Sequence, residues 1–283
     1  MKMSLIPLAI VAAFSCLVAC QGQITSNVLE RVLLIRGPVF TGTAFTIDVE
    51  GRQYLVTAKH MVAGLKGEDT IHILRDGEWS PLRVTVLRCD DPIDIAVLVP
   101  PSQLTVDYPL EPTSGGLAVG GDAFFVGFPA GPGTSVILHS GYPLGLAKKA
   151  TVSAFDPLPD HKGMRIVLDG YNNPGFSGSP VVFRDLSQSG LVYKVAAVLV
   201  GFKPEGGPVR KAQEIRPEQL TPEDRAQSRI VEYQGRLLRL GEETGNFVRL
   251  NTGIAISYDI RPAVVLIHQH PIGPKVSDNF EMK

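Results

Sequence analysis

Hydrophobic residues in this chain come in short runs, many of them alternating with polar positions, and that rhythm predicts strands rather than helices. Residues 29–35 are largely apolar, 43–49 alternate, and 54–57 form a short buried run. Residues 71–74, 82–87 and 95–99 follow, separated by Gly, Asp and Pro. Six such strands are enough to close a small barrel. Residues 100–116 are rich in Pro, Ser and Thr and read as a connection between two halves. A second series then begins, with predicted strands at 123–128, 135–139, 150–155, 164–168, 181–183, 192–202 and 253–257. Between 203 and 247 the pattern turns charged and broken by Gly and Pro, which marks an insertion before the last strand. Within it, Thr221-Pro222-Glu223-Asp224 is a good helix start, with an N-cap, a proline at the first helical position and early acids. Residues 230–240 read equally well as a hairpin turning at Gln234-Gly235.

One apolar stretch does not fit this rhythm. Residues 5–19 follow Lys2 as about fifteen almost wholly apolar residues, which suits a secretory signal and is short for a spanning helix. The stretch ends Leu17-Val18-Ala19-Cys20, which resembles the lipobox of bacterial lipoproteins. That resemblance implies lipidation at Cys20, an exported protein, and a lipid anchor in a bacterial membrane on its periplasmic or cell-surface side. Residues 1–19 are then the signal and 20–28 a tether. Ordinary signal-peptidase cleavage fits less well, because Leu17 is bulky where small residues are preferred.

Cysteine usage agrees with export without disulfides. Cys16 leaves with the signal and Cys20 carries lipid, so Cys89 remains without a partner and reads as a small buried residue. Charge is balanced, with 27 basic against 28 acidic residues, so no positive field exists to attract nucleic acid. Gly at 29 and Pro at 22 supply the turns that many short strands require.

Three short motifs carry candidate chemistry. Leu55-Val56-Thr57-Ala58-Lys59-His60 runs a buried strand into a turn that presents an imidazole. Asp91-Pro92-Ile93-Asp94-Ile95-Ala96-Val97-Leu98 places an acid at the mouth of an apolar strand. Asn173-Pro174-Gly175-Phe176-Ser177-Gly178-Ser179-Pro180 is the most specific of the three. Its glycines permit a tight loop that exposes a hydroxyl and aims backbone N–H groups at one point.

Taken in order, these motifs resemble the chymotrypsin-like (trypsin-fold) serine peptidases, and most closely the disulfide-free bacterial branch with its HtrA/DegP-type and glutamyl-type endopeptidases. Residues 57–60 match that family's T-A-x-H segment, residues 94–98 its D-[IL]-A-[VL]-L segment, and residues 169–180 its D-x-x-x-N-P-G-x-S-G-[GS]-P segment. Residues 42–47 and the Gly121–Gly127 stretch add support. The resemblance implies an all-β fold of two six-stranded antiparallel barrels with the site in the cleft between them. The peptidase domain would span 29–258, with barrel one at about 29–100, barrel two at about 117–258, the insertion at 203–247, and a C-terminal tail at 259–283. No appended peptide-binding domain of the HtrA kind is expected after the last strand.

The implied function is serine endopeptidase, cleaving protein or peptide substrates through an acyl-enzyme. His60, Asp94 and Ser177 would be the catalytic triad, and the backbone N–H groups of Gly175 and Ser177 the oxyanion hole. Tyr171, Asn172, Gly201, Phe202 and Gly253 would line the substrate pocket. Asp169 lies too far back to act as a charged pocket base, which argues for a small or medium apolar side chain in the substrate. Two departures stand out: Phe176 occupies a position where the family usually has a small polar residue, and Ser179 replaces a frequent glycine. An alternative is a catalytically silent lipoprotein of the same fold that binds peptides or a partner protein. No cofactor or metal is expected. His268 and His270 lack an acid or cysteine at ligand spacing, and His72, His139 and His161 read as structural or exposed.

Overall fold

The computed structural model describes residues 24–129, 131, 136–159, 162–187, 191–227 and 229–277. The signal, Cys20 and His161 therefore lie outside the described residues.

After a single helical turn (α1, Ser26–Leu29), six strands form barrel one: β1 (Val32–Arg36), β2 (Thr41–Val49), β3 (Arg52–Ala58), β4 (Glu68–Arg75), β5 (Glu78–Arg88) and β6 (Ile95–Val99). They close in the order β1-β2-β3-β6-β5-β4, every pair antiparallel. Side chains in a strand alternate between faces, and here both faces are buried. Leu33 and Ile35 fill the barrel interior with Leu55, Ile71, Val84 and Leu98. Their neighbours Val32 and Leu34 point the other way, into a cluster with Phe45, Val56, Val97, Phe124 and Val126. Because that cluster draws on strands of both halves, it sits between them. Two-sided burial explains why β1 reads as a continuous apolar run.

The connection is pinned and carries its own short strand, β7 (Glu111–Pro112). Buried Arg31 donates from Nε to the carbonyl of Tyr108 at 2.9 Å and pairs with Asp48, tying the connection to barrel one.

The second half contains β8 (Asp122–Gly127), β9 (Leu146–Pro157), β10 (Met164–Asp169), β11 (Pro180–Arg184), β12 (Tyr193–Ile215), β13 (Ile230–Tyr233) and β14 (Arg236–Asp259). The sheet order is β13-β14-β10-β9-β8-β11-β12-β7, and a further pairing joins β14 to β12. The six strands from β14 to β12 thus return on themselves around Phe125, Val152, Ile166, Leu168, Val181 and Leu199. This is the chymotrypsin-like two-barrel architecture expected from the sequence. A strand predicted at 135–139 is reduced, among the described residues, to a single bridge between Ile137 and Pro143.

Residues 202–253 form a second compact unit. The insertion is neither irregular nor mainly helical: β12 and β14 run on as long strands through it. Arg210 pairs with Glu243 at 2.9 Å, and Thr244 donates to the carbonyl of Val209 at 2.9 Å. The two local readings left open by the sequence are both realised. Helix α2 (Pro222–Ala226) is capped by Thr221, whose hydroxyl accepts the Asp224 N–H, and β13 pairs with β14 around a turn in which Gln234 and Gly235 both have positive φ. The ribbon is exposed on both faces, so it has no buried side to write a period-two pattern into the sequence.

The stretch read from the sequence only as a tail holds a helix, α3 (Arg261–Gln269), that buries Ala263 and Ile267 at i, i+4 spacing. The chain then straps back onto barrel one. Gln53 N–H donates to Pro274 C=O at 3.0 Å, and Val276 N–H to Gly51 C=O at 2.9 Å.

Candidate active site

The register of barrel one builds half of the site. Pairing of β3 with β6 sets Ala58 opposite Ile95, so the residues leaving those strand ends, Lys59-His60 and Asp94, emerge side by side. A single 3-10 turn (Lys59–Val62) then swings the imidazole toward the acid. Asp94 Oδ2 lies 2.7 Å from His60 Nδ1, and Oδ1 accepts the His60 backbone N–H at 2.9 Å. Lys59 N–H donates to the Asp94 carbonyl at 3.2 Å. Both carboxylate oxygens are thus engaged by one residue, which fixes the ring's rotation as well as its distance. Phe40 stands edge-on to the imidazole at 6.2 Å.

The other half is the loop before β11. Phe176 N–H donates to the Asn173 carbonyl at 3.2 Å, closing a four-residue turn with Pro174 and Gly175 at its centre. Gly175 has φ +101°, so with proline before it the turn is of type II. Gly178, at φ +88°, sits where a Cβ would stand 1.9 Å from the Thr43 carbonyl oxygen. Only glycine lets the loop approach barrel one so closely. At that contact Thr43 N–H donates to the Ser177 carbonyl at 3.0 Å. Among the described residues, neither the Gly175 nor the Ser177 N–H is used by a protein acceptor.

The Ser177 hydroxyl itself donates to the Val200 carbonyl at 3.2 Å and makes no hydrogen bond with His60. His60 and Asp94 are therefore joined, while Ser177 is delivered by the opposite barrel with its hydroxyl turned to β12.

Phe176, a departure from the family's usual small polar residue, is turned into the core. Its ring is fully buried in the core of barrel two and meets Phe125 edge-to-face at 5.0 Å. Room exists because the neighbouring position is Gly127, where a Cβ would meet Phe176 at 2.9 Å and Ser179 Oγ at 2.1 Å.

Of the expected pocket residues, Tyr171 is half exposed, and Asn172 is buried and donates from Nδ2 to the Gly201 carbonyl at 2.7 Å. Phe202 and Gly253 belong to the second unit. A residue that sequence reasoning missed is Lys148 on β9. Its Nζ donates to the Tyr171 carbonyl and to Asn173 Oδ1, both at 2.7 Å, and lies over the rings of Tyr171 and Phe176. Burial pushes its pKa below the ordinary lysine value. No local motif announces it, because it reaches the loop through the pairing of β9 with β10, the strand from which the loop departs.

Cys89 is buried, and burial pushes its thiol up to about 12, so it is not a nucleophile at neutral pH. Among the described residues, no group of three or more His, Cys, Asp or Glu side chains is placed to hold a metal ion. His268 lies near the end of α3, 3.5 Å from Glu50.

Residues 42–192 match the trypsin-like peptidase domain. The chain belongs to that family. Comparison with curated proteins finds no match. Among solved structures, this trypsin-like peptidase domain is similar to the HtrA-type protease AlgW with tripeptide, at 18% identity and a TM-score of 0.50 over 87% of this chain and 62% of that one. It is also similar to the Rv3671c protease in its inactive form, at 16% identity and a TM-score of 0.48 over 86% of this chain and 89% of that one. The family assignment supports a peptidase acting on proteins or peptides.

Proposed function

We propose that this trypsin-like peptidase is a serine endopeptidase in which Ser177 attacks the scissile carbonyl. His60 takes the hydroxyl proton and returns it to the leaving amine, while Asp94 holds the imidazole tautomer and stabilises the imidazolium. Developing negative charge on the carbonyl oxygen falls to the N–H groups of Gly175 and Ser177. The observation that carries this reading is the 2.7 Å contact between His60 Nδ1 and Asp94 Oδ2, made at the end of a barrel whose strand β2 is bonded directly to Ser177. A rotation about χ1 of Ser177 releases its hydroxyl from Val200 for transfer to the histidine. Tyr171, Asn172 and Gly201 are proposed to line the substrate pocket.

The test is a fluorophosphonate probe with a peptide-library digest, run on wild type and Ser177→Ala together. Labelling and cleavage in the wild type, both lost in the variant, support the proposal; equal cleavage by the variant excludes it. The silent peptide-binding alternative draws on one observation, the Ser177 hydroxyl directed at Val200 rather than His60. A wild type that binds peptides without being labelled would decide for it.

Export and membrane attachment through Cys20 are part of the same proposal and rest on the sequence alone. Metabolic labelling with palmitate, present in wild type and absent in Cys20→Ala, tests them.

A further inference from the structure

One buried residue of barrel one is bonded, through its backbone and its side chain, to the two residues whose N–H groups form the proposed oxyanion site. Thr43 is fully buried on β2. Its backbone N–H donates to the Ser177 carbonyl at 3.0 Å, and its hydroxyl donates to the Gly175 carbonyl at 2.8 Å. The Phe128 N–H donates to the same hydroxyl oxygen at 3.1 Å. These roles are not interchangeable. An N–H can only donate and a carbonyl can only accept, so the single hydroxyl proton must point at Gly175. On the other side, the Thr43 carbonyl accepts from the hydroxyl of Thr57, three residues before His60. A bonded path therefore runs from the strand that delivers the histidine, through Thr43, to both carbonyls of the nucleophile loop.

We propose that Thr43 is a positioning residue whose hydroxyl sets the aim of the Gly175 and Ser177 N–H groups relative to His60. This deepens the peptidase reading and rests on it. The physical need comes from Gly175. With no Cβ and a positive φ, its backbone is poorly restrained by its own sterics, and its carbonyl belongs to the Gly175–Phe176 peptide, which lies between the two peptides that carry the Gly175 and Ser177 N–H groups, so an outside tether on that carbonyl restrains both neighbours. The hydroxyl occupies space that a glycine at 127 leaves open, since a Cβ there would stand 2.6 Å from Thr43 Oγ1. Its acceptor and donor contacts are both made with backbone groups. Oxyanion donors stabilise a transition state only when aimed in advance, so a loosened loop costs the chemical step rather than binding.

The experiment compares wild type, Thr43→Val, Thr43→Ala and Thr43→Ser with the fluorophosphonate probe, separating the maximal labelling rate from the probe concentration at half-maximal rate. Melting transitions are recorded alongside. Thr43→Val keeps the shape and loses the hydroxyl, so its maximal labelling rate should fall about 10- to 100-fold with little change in half-saturation. Thr43→Ser keeps the hydroxyl and should label at nearly the wild-type rate. Should Thr43→Val fail to fold, Thr43→Ala is read against Thr43→Ser in the same way. Equal maximal rates for wild type and a folded variant without the hydroxyl overturn this inference alone. Wild-type protein that is not labelled at Ser177 brings down the peptidase reading and this inference with it.

Discussion

Asp94 grips His60 twice, with Oδ2 on the ring Nδ1 at 2.7 Å and Oδ1 on the backbone N–H at 2.9 Å. The backbone contact anchors the carboxylate even when the ring moves, so the ring contact can act as a tautomer selector. Asp94→Asn keeps the shape but presents either an amide N–H or a neutral oxygen to Nδ1. Turnover should fall roughly 10⁴-fold, as for other enzymes of this catalytic arrangement, with the melting transition little changed. Steady-state cleavage of the best peptide from the library digest measures it. A loss below tenfold would remove Asp94 from the mechanism.

Gly178 lies hard against barrel one. A methyl group there would stand 1.9 Å from the Thr43 carbonyl oxygen and 2.3 Å from the Thr57 hydroxyl, on a backbone with φ +88°. Neither neighbour can retreat, since both are fully buried in the β2–β3 pair. Gly178→Ala should cost about 4 kcal/mol or more, combining backbone strain with the clash. Thermal denaturation should show a drop on the order of 10 °C.

What the sequence could announce here is what local chemistry dictates. The Asn173–Pro180 loop needs its glycines wherever it sits, and a strand ending in Thr57-Ala58-Lys59-His60 beside one opening at Asp94 follows from adjacent antiparallel strands. The two barrels were legible because apolar runs and turn residues alternate at strand spacing. Three things were not. The inward turn of Phe176 depends on the absence of a side chain at Gly127, about fifty residues away in sequence. The long ribbon of β12 and β14 is held by its own ladder and ion pairs, and buries too little, Ile215 on β12, to write a pattern. Helix α3 fully buries only Ala263 and Ile267, with Val264 and Leu266 partly buried against the same core, and so short a stripe does not distinguish it from a tail. Lys148 and Thr43 belong to the same class, since each meets the loop across the fold, Lys148 from β9 and Thr43 from barrel one, rather than as a neighbour in sequence.

The ribbon has an acid-sensitive clasp. Asp224 receives Arg239 through two hydrogen bonds, Nε to Oδ1 at 2.9 Å and Nη2 to Oδ2 at 2.7 Å, and it also accepts the Thr221 N–H. The Arg239 guanidinium, then the Thr221 backbone, hold its carboxyl down at about 2. A carboxylate held below its unfolded value stabilises the fold above that unfolded value, near pH 4, and loses the contribution as pH falls through the folded one. Digestion by pepsin within 219–240 should therefore increase steeply as the pH is lowered from about 4 to about 2. Asp224→Asn, which has no carboxylate to protect, should be cut at the same sites already near pH 4. A digestion rate at these sites that is identical for both proteins across the range would remove the clasp.

Phe176 separates a structural from a catalytic cause for an unusual residue beside the proposed nucleophile. Its ring is fully buried, packs edge-to-face on Phe125 at 5.0 Å, and closes one end of the second barrel's core. Truncation to alanine leaves a cavity next to Gly127, where the backbone offers no side chain to fill it, so Phe176→Ala should cost about 3–5 kcal/mol. Phe176→Asn restores the small polar type common in relatives but buries an amide against Phe125 with no partner in view, and should be destabilised at least as much. Phe176→Leu keeps most of the volume and should cost about 1.5 kcal/mol or less. Because the ring faces the core and not the cleft, Phe176→Leu should be labelled by the fluorophosphonate at close to the wild-type rate. Denaturant melts and labelling rates on the same three proteins make the comparison. If Phe176→Asn were instead stable and faster than wild type, the residue would be a brake on the nucleophile loop rather than part of the barrel's core.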